Sequence, residues 1–199
     1  MSIFDRMLIR MAMKKTLSRK EKVLKTALQM VAAGGFQAAP ISEIASKSKV
    51  AVGTIYHHFS SKEALTDAMY VHCKQHLVQA ITSGLDGKGN FRKKYDKLWD
   101  NFISHYTTNP TEVSFLAQYS SSSVISANAQ KEGEKADKAL LDFIAEGVKS
   151  KELGKLEASV ATEYLFGAMF SSARYASRSK KNSKEFSAFR DLTWSAMRK

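Results

Sequence analysis

The chain has 199 residues, 44% of them apolar, with a formal net charge of +12 and one cysteine. That length and apolar share exclude a disordered chain and allow one large domain, or a small one fused to a larger one. A lone Cys73 excludes an internal disulfide and a cysteine-built zinc site.

No apolar stretch approaches the roughly 18 residues of a membrane span, and residues 1–15 mix charges with apolar side chains where a signal peptide would have an apolar core. A cytoplasmic protein without membrane contact is therefore expected. The charge is uneven: residues 1–62 carry a net +8 and the other 137 residues a net +4. A polyanion partner for the first third is the simplest reading, because neutralising phosphates releases condensed counterions.

In chain order, residues 1–17 read as a basic arm. Arg6, Arg10, Lys14 and Lys15, with Arg19 and Lys20 just beyond, suit a DNA backbone or minor groove. A solvated tail and a weak amphipathic helix through Ile3, Phe4, Met7, Leu8 and Met11 stay open. Val23, Leu24, Ala27, Leu28 and Val31 recur at three- and four-residue intervals, which predicts a helix over Ser18–Ala33, capped by Ser18 and stopped by Gly34-Gly35.

The segment Ile41–Leu65 predicts two short helices joined by a tight turn and followed by a third. Ile41, Ile44 and Ala45 form one apolar face, Val50 sits in the turn, and Ile55 and Phe59 form the next face. The second helix, Val52–His58, has no acidic residue and presents Thr54, Tyr56 and His57 outward. Gly53 lets the backbone approach a phosphate or base edge, and the Tyr56 hydroxyl can donate to a phosphate. Ser42 and Ser61 are expected to cap helix starts, with Lys62 adding charge at the second. His57 and His58 point about 100 degrees apart, so they cannot share one task. His57 reads as a DNA contact or a solvated residue; His58 as a phosphate contact or a packing group.

Further helices are expected over Lys62–Ser83, Phe91–Thr108, Thr111–Ser121, Ser126–Lys149, Glu157–Ser177 and Lys184–Met197, with no strand pattern. His72 and His76, four residues apart beside Cys73, could share a face and chelate a metal. No third ligand follows from spacing, so a polar helix surface is the simpler reading, and no metal or cofactor is expected. A buried thiol is the plain reading of Cys73. Trp99, Phe102 and Tyr106 share one face, which suits either an apolar pocket or a packed core. The apolar and small residues of the last two helices read equally as core or interface.

The run KVLKTALQMVAAGGF, then ISEIA, then VAVGTIYHHFSSKEAL resembles the tetracycline-repressor (TetR) family of one-component regulators, over about residues 18 to 70. By position, the resemblance implies DNA contacts from Ser42, Thr54, Tyr56, His57, His58 and Lys62, with Val52 and Gly53 against the groove and Phe59 in the core. The chain departs from the family at Lys49, a turn position where glycine is common; a left-handed lysine there carries a modest strain cost. The resemblance also implies an effector pocket in the aromatic helices, for which Trp99, Phe102, Tyr106, Phe115, Tyr119, Phe143, Tyr164 and Phe170 are the candidates. It implies a four-helix dimer interface through Leu165, Ala168, Met169, Ser172, Phe186, Phe189, Thr193 and Met197.

The expected protein is all-α: a three-helix DNA-binding domain with a helix-turn-helix over residues 18–64, fused to a larger helical bundle over 65–199 for effector binding and dimerisation. The expected function is a homodimeric repressor that binds a palindromic double-stranded DNA operator and is released by a small-molecule effector. A helical DNA binder without an effector, acting constitutively or architecturally, is the alternative. No Ser-His-Asp, Cys-His, paired-carboxylate or phosphate-loop arrangement points to an enzyme.

Overall fold

A computed structural model describes residues 17–35, 39–87, 89–179 and 184–198. The arm residues up to 16, with Arg6, Arg10, Lys14 and Lys15, lie outside them. The described residues form ten helices and no strand, and none of these helices is long and apolar enough to cross a membrane. The chain divides into two units between Ser61 and Lys62.

The first unit holds α1 (Arg19–Gly34), α2 (Ile41–Ser48) and α3 (Val52–His58). Ser18 starts α1 with a reciprocal cap: its hydroxyl accepts from the Glu21 N–H at 3.2 Å, and the Glu21 carboxylate accepts from the Ser18 N–H at 2.8 Å. Gly35 ends the helix at φ 75°. Val23, Leu24, Ala27, Leu28 and Val31 are all buried, as their period predicts. They pack with Ile44, Ala45, Val50, Ile55 and Phe59 as the unit's core.

The second unit is built around α4 (Lys62–Thr82), followed by α5 (Phe91–Thr108), α6 (Pro110–Tyr119), α7 (Ala127–Ala136), α8 (Lys138–Lys149), α9 (Ala158–Ser179) and α10 (Lys184–Met197). Two neighbouring rows of α4 are buried, one through Leu65, Met69, Cys73, Leu77 and Ile81, the other through Thr66, Tyr70, Lys74 and Val78. A double row makes a broad stripe, and α4 packs against α5, α6, α7 and α8. Asp67 secures the start of α7 by accepting from the Ser126 N–H at 2.9 Å and the Ser126 hydroxyl at 2.6 Å. Burial pushes the Cys73 thiol far up, so it stays protonated, as a buried thiol should.

Two sequence expectations need correction. The helix expected to start at Thr111 begins at Pro110, whose missing N–H costs nothing at a first helical position. The single helix expected over Ser126–Lys149 is two, broken at Asp137. Two tertiary contacts account for the break. At Gly133, α7 lies so close to α4 that an added Cβ would stand 2.6 Å from the Tyr70 ring. At Asp137 the carboxylate turns inward, where Oδ1 lies 3.1 Å from Lys74 Nζ, with both side chains 8% exposed. The Lys74 ammonium also sits 3.9 Å from the centre of the Phe166 ring.

A buried pair is costly to break and cheap to replace, because removing one partner strands the other charge. Asp137→Ala is expected to lower the unfolding free energy by about 3–5 kcal/mol, whereas the Lys74→Met/Asp137→Leu double variant costs much less. Urea unfolding of the singles and the double measures both.

Candidate nucleic-acid interface

The α2–α3 connection explains how an apolar pair of short helices presents a polar surface. Lys49 takes the left-handed conformation (φ 56°, ψ 39°), and the Val50 N–H reaches back to the Ala45 carbonyl at 3.1 Å. That closure buries Val50 and turns the chain sharply into α3. The strain expected at Lys49 is thus present, since a side chain in this region crowds its own carbonyl.

Helix α3 then buries one residue, Ile55, while Phe59 follows as its buried cap. The rest of the helix is surface. Val52 is 42% exposed and Tyr56 50%; Gly53, His57 and His58 are exposed, and Thr54 is half-buried. Between packing and exposure for His58, the structure places it outside, its ring edge-on to Phe59 at 6.2 Å. A Cβ added at Gly53 would meet nothing within 4 Å. The fold therefore does not demand glycine at 53.

Ser42 is exposed in the first turn of α2 but does not cap it. The cap is Pro40, with no side-chain hydrogen bond, because Ser42 lies one residue inside the helix. Its place in the first turn still puts it beside N–H groups that have no helical acceptor. Lys62 is half-buried as the first residue of α4.

A shallow groove of about 570 Å³ runs between the start of α1 and the outer face of α3. Ser18, Arg19 and Lys20 form one wall, and Gly53, Thr54, His57 and His58 the other. The cations of Arg19 and Lys20 thus join the α3 surface, which suits a phosphate chain running past a reading helix. Sequence reasoning had placed Arg19 and Lys20 at the end of an arm; the α1–α3 packing that brings them to this groove has no local sequence signal.

In the second unit the expected pocket residues disperse. Trp99, Phe102 and Phe115 are fully buried, and Phe143 stacks on Phe91 at 4.7 Å. Tyr119 is 9% exposed and packs on Phe115, with ring centres 5.1 Å apart. Tyr106 is half-buried and donates its hydroxyl to the Ala173 carbonyl at 3.3 Å. Tyr164 is 49% exposed. A recess of about 480 Å³ does exist, between α4, α6, α7 and α9, and of the eight candidates it holds Phe170 alone. Its other walls include Tyr70, Lys74, Glu134, Asp137, Glu163 and Phe166.

The expected dimer residues also need correction. Leu165, Met169, Ser172, Phe186, Thr193 and Met197 are all buried within their own unit, so their side chains cannot meet a second copy. Ala168 and Phe189 are half-buried. The exposed apolar groups of α9 and α10 are Val160, Tyr164, Tyr175 and Leu192. At 100° per residue the first three fall on one side of α9.

Residues 23–69 match the family model described as bacterial regulatory proteins of the tetR family. The chain is 36% identical over 87 residues to the uncharacterized HTH-type transcriptional regulator YvdT of Bacillus subtilis, which covers 44% of this chain and 45% of the relative. It is 25% identical over 104 residues to the nicotine-responsive repressor HdnoR of Paenarthrobacter nicotinovorans, covering 52% and 53%. The aligned stretch thus spans about half the length of either relative. A crystal structure of a TetR family regulator from Shewanella sp. PV-4 superposes with a TM-score of 0.81 at 26% identity, over 91% of this chain and 98% of that one. FadR of Bacillus subtilis shares the fold, with a TM-score of 0.70 at 16% identity over 88% and 96%. A left-handed turn between α2 and α3, an exposed helix α3 and these matches make residues 23–69 a DNA-binding domain of the tetR family of bacterial regulatory proteins, in a chain that shares the fold of TetR family regulators.

Proposed function

We propose that this regulator is a cytoplasmic homodimeric repressor that holds a palindromic operator and releases it when a small molecule fills the second unit. The observation that carries the reading is the outer face of α3, where Val52, Gly53, Tyr56, His57 and His58 are exposed and the fold makes no demand for glycine at 53. On this reading Ser42, Tyr56 and Lys62 hold phosphates, Thr54 and His57 face base edges, and His58 stands toward the backbone. Exposed Val52 suits the methyl group of a thymine. Arg19 and Lys20 add phosphate charge from the α1 side of the groove.

Dimerisation is supported by the stripe of Val160, Tyr164 and Tyr175 with Leu192, 71% exposed, on the neighbouring helix. Gly167, on the same side of α9, would accept a Cβ with nothing within 4 Å, which leaves room for close approach by a second helix. A two-fold pair would set two reading helices about 34 Å apart on successive major grooves.

For the effector, the recess around Lys74 is the candidate. Three carboxylates, Glu134, Asp137 and Glu163, line it together with one ammonium, Lys74, and the rings of Tyr70, Phe166 and Phe170. That lining suits an apolar body bearing a positive or hydrogen-bond-donating group. Similar proteins that meet small molecules include HdnoR, described as nicotine-responsive, and FadR, solved in complex with stearoyl-CoA. Release is a population shift: the effector must prefer the arrangement that binds DNA poorly, since equal affinity for both changes nothing. Helix α4 is the natural lever, because it runs from Lys62 to the recess residues Tyr70 and Lys74.

Three outcomes test the reading. Tyr56→Phe and Lys62→Ala should each weaken operator binding roughly fivefold or more, about 1 kcal/mol for a lost phosphate contact; Lys62→Ala should also lower the salt slope by about one. Fluorescence anisotropy on operator DNA across a salt series reads both, and unchanged affinity in both variants would remove the phosphate assignment. Gly53→Ala should leave the melting temperature unchanged or raise it, since alanine favours a helix by about 1 kcal/mol, yet weaken operator binding, because the new Cβ stands between α3 and the groove. Finally, light scattering should find a dimer that Tyr164→Glu/Leu192→Glu converts to a monomer of unchanged helicity; a dimer that persists would move the interface elsewhere.

A further inference from the structure

Three helices of the second unit bring four metal-binding side chains to one place that the reading above does not use. His72 and His76 lie one turn apart on α4, His105 is in the last turn of α5, and Glu112 is in the first turn of α6. His76 Nδ1 lies 2.8 Å from Glu112 Oε2, and His105 Nε2 lies 3.6 Å from that same oxygen. The His76 and His105 rings stand nearly perpendicular, 83° apart, with centres at 4.8 Å. One donor atom each from His72, His76 and Glu112 lie within 4.8 Å of one another.

His105 is what separates this cluster from a surface ion pair. Its side chain is 3% exposed, and its Nε2 has no hydrogen-bond partner among the described residues although it faces Glu112. Native proteins rarely leave a buried ring nitrogen unpaired without a use for it. Asn109 stands 3.5 Å from the other ring nitrogen.

We propose that His72, His76, His105 and Glu112 form a site for a divalent transition-metal ion of zinc type. Three imidazoles and one carboxylate match the donor preference and the four-coordinate geometry of zinc. Tetrahedral ligands at zinc distances stand about 3.3 Å apart, and the 2.8 Å and 3.6 Å separations at Glu112 bracket that value. His72 brings a donor atom within 4.8 Å of those of His76 and Glu112. Entry is open through His76, whose side chain is 44% exposed. A bound ion would clamp α4 to the α5–α6 junction, and so fix the helix that carries Tyr70 and Lys74 of the recess. The site stands whether or not that recess binds an effector.

The test uses untagged full-length protein stripped with a chelator. Titration with cobalt(II) should give one ion per chain and the intense visible absorption of tetrahedral cobalt, displaced by zinc(II). Glu112→Gln and His105→Gln, with helicity and melting checked, should each weaken cobalt binding at least tenfold and abolish the tetrahedral spectrum. Absence of binding, an octahedral spectrum, or affinity unchanged by both substitutions would overturn the proposal; the last would leave only a His72–His76 pair on the surface of α4. Operator affinity measured with and without zinc, in the same variants, distinguishes a regulatory ion from a structural one.

Discussion

The second unit depends on α4 being buried along two adjacent rows instead of one. A helix with a single apolar stripe packs on one neighbour; a double row must be covered from several sides, and α5, α6, α7 and α8 do this. The second row contains a charge, Lys74, and its burial dictates further structure: Asp137 must turn inward to meet it, and the helix that would otherwise run on to Lys149 breaks there. Burial pushes the Asp137 carboxyl up against the pull of Lys74, so the pair is held at a desolvation cost and not as a plain gain. Such a pair specifies where α7 and α8 lie better than apolar contact alone could.

In the first unit the same economy runs the other way. Val50, Ile55 and Phe59 hold α2 and α3 in place, and a left-handed Lys49 accepts local strain so that the turn can close. What remains on α3 has no task within the chain. A 50% exposed tyrosine, an exposed valine, two exposed histidines and a glycine that nothing crowds are a poor solvent surface and a good groove-reading one.

The second unit also shows why polar residues carry more information than aromatic ones. Trp99, Phe102 and Phe115 are large and lie on faces that could line a cavity, yet they fill the core. The recess is bordered instead by Glu134, Asp137, Glu163 and Lys74, whose charges are unexpected near a core and so mark a place where water or a ligand enters. His105 is the same kind of signal: a buried imidazole facing a carboxylate.

Much of the fold was legible because it is local. The period of Val23, Leu24, Ala27, Leu28 and Val31, the Ser18–Glu21 cap and the Gly35 stop define α1 within a turn of its observed ends, and Pro40, Val50 and Ile55 place the turn that exposes α3. The sequence alone therefore determined the helical class, the reading helix and its outward residues, since those rest on spacing along one chain segment. Only the tertiary structure decided which aromatic residues are core, that Leu165 and Met169 are covered by their own unit while Tyr164 and Leu192 are not, and that His105 and Glu112 complete a cluster with His72 and His76. Those facts depend on how far each helix is rotated against its neighbours. That rotation is set by the sum of packing around α4, where a buried pair such as Lys74–Asp137 outweighs the local preference of any one segment.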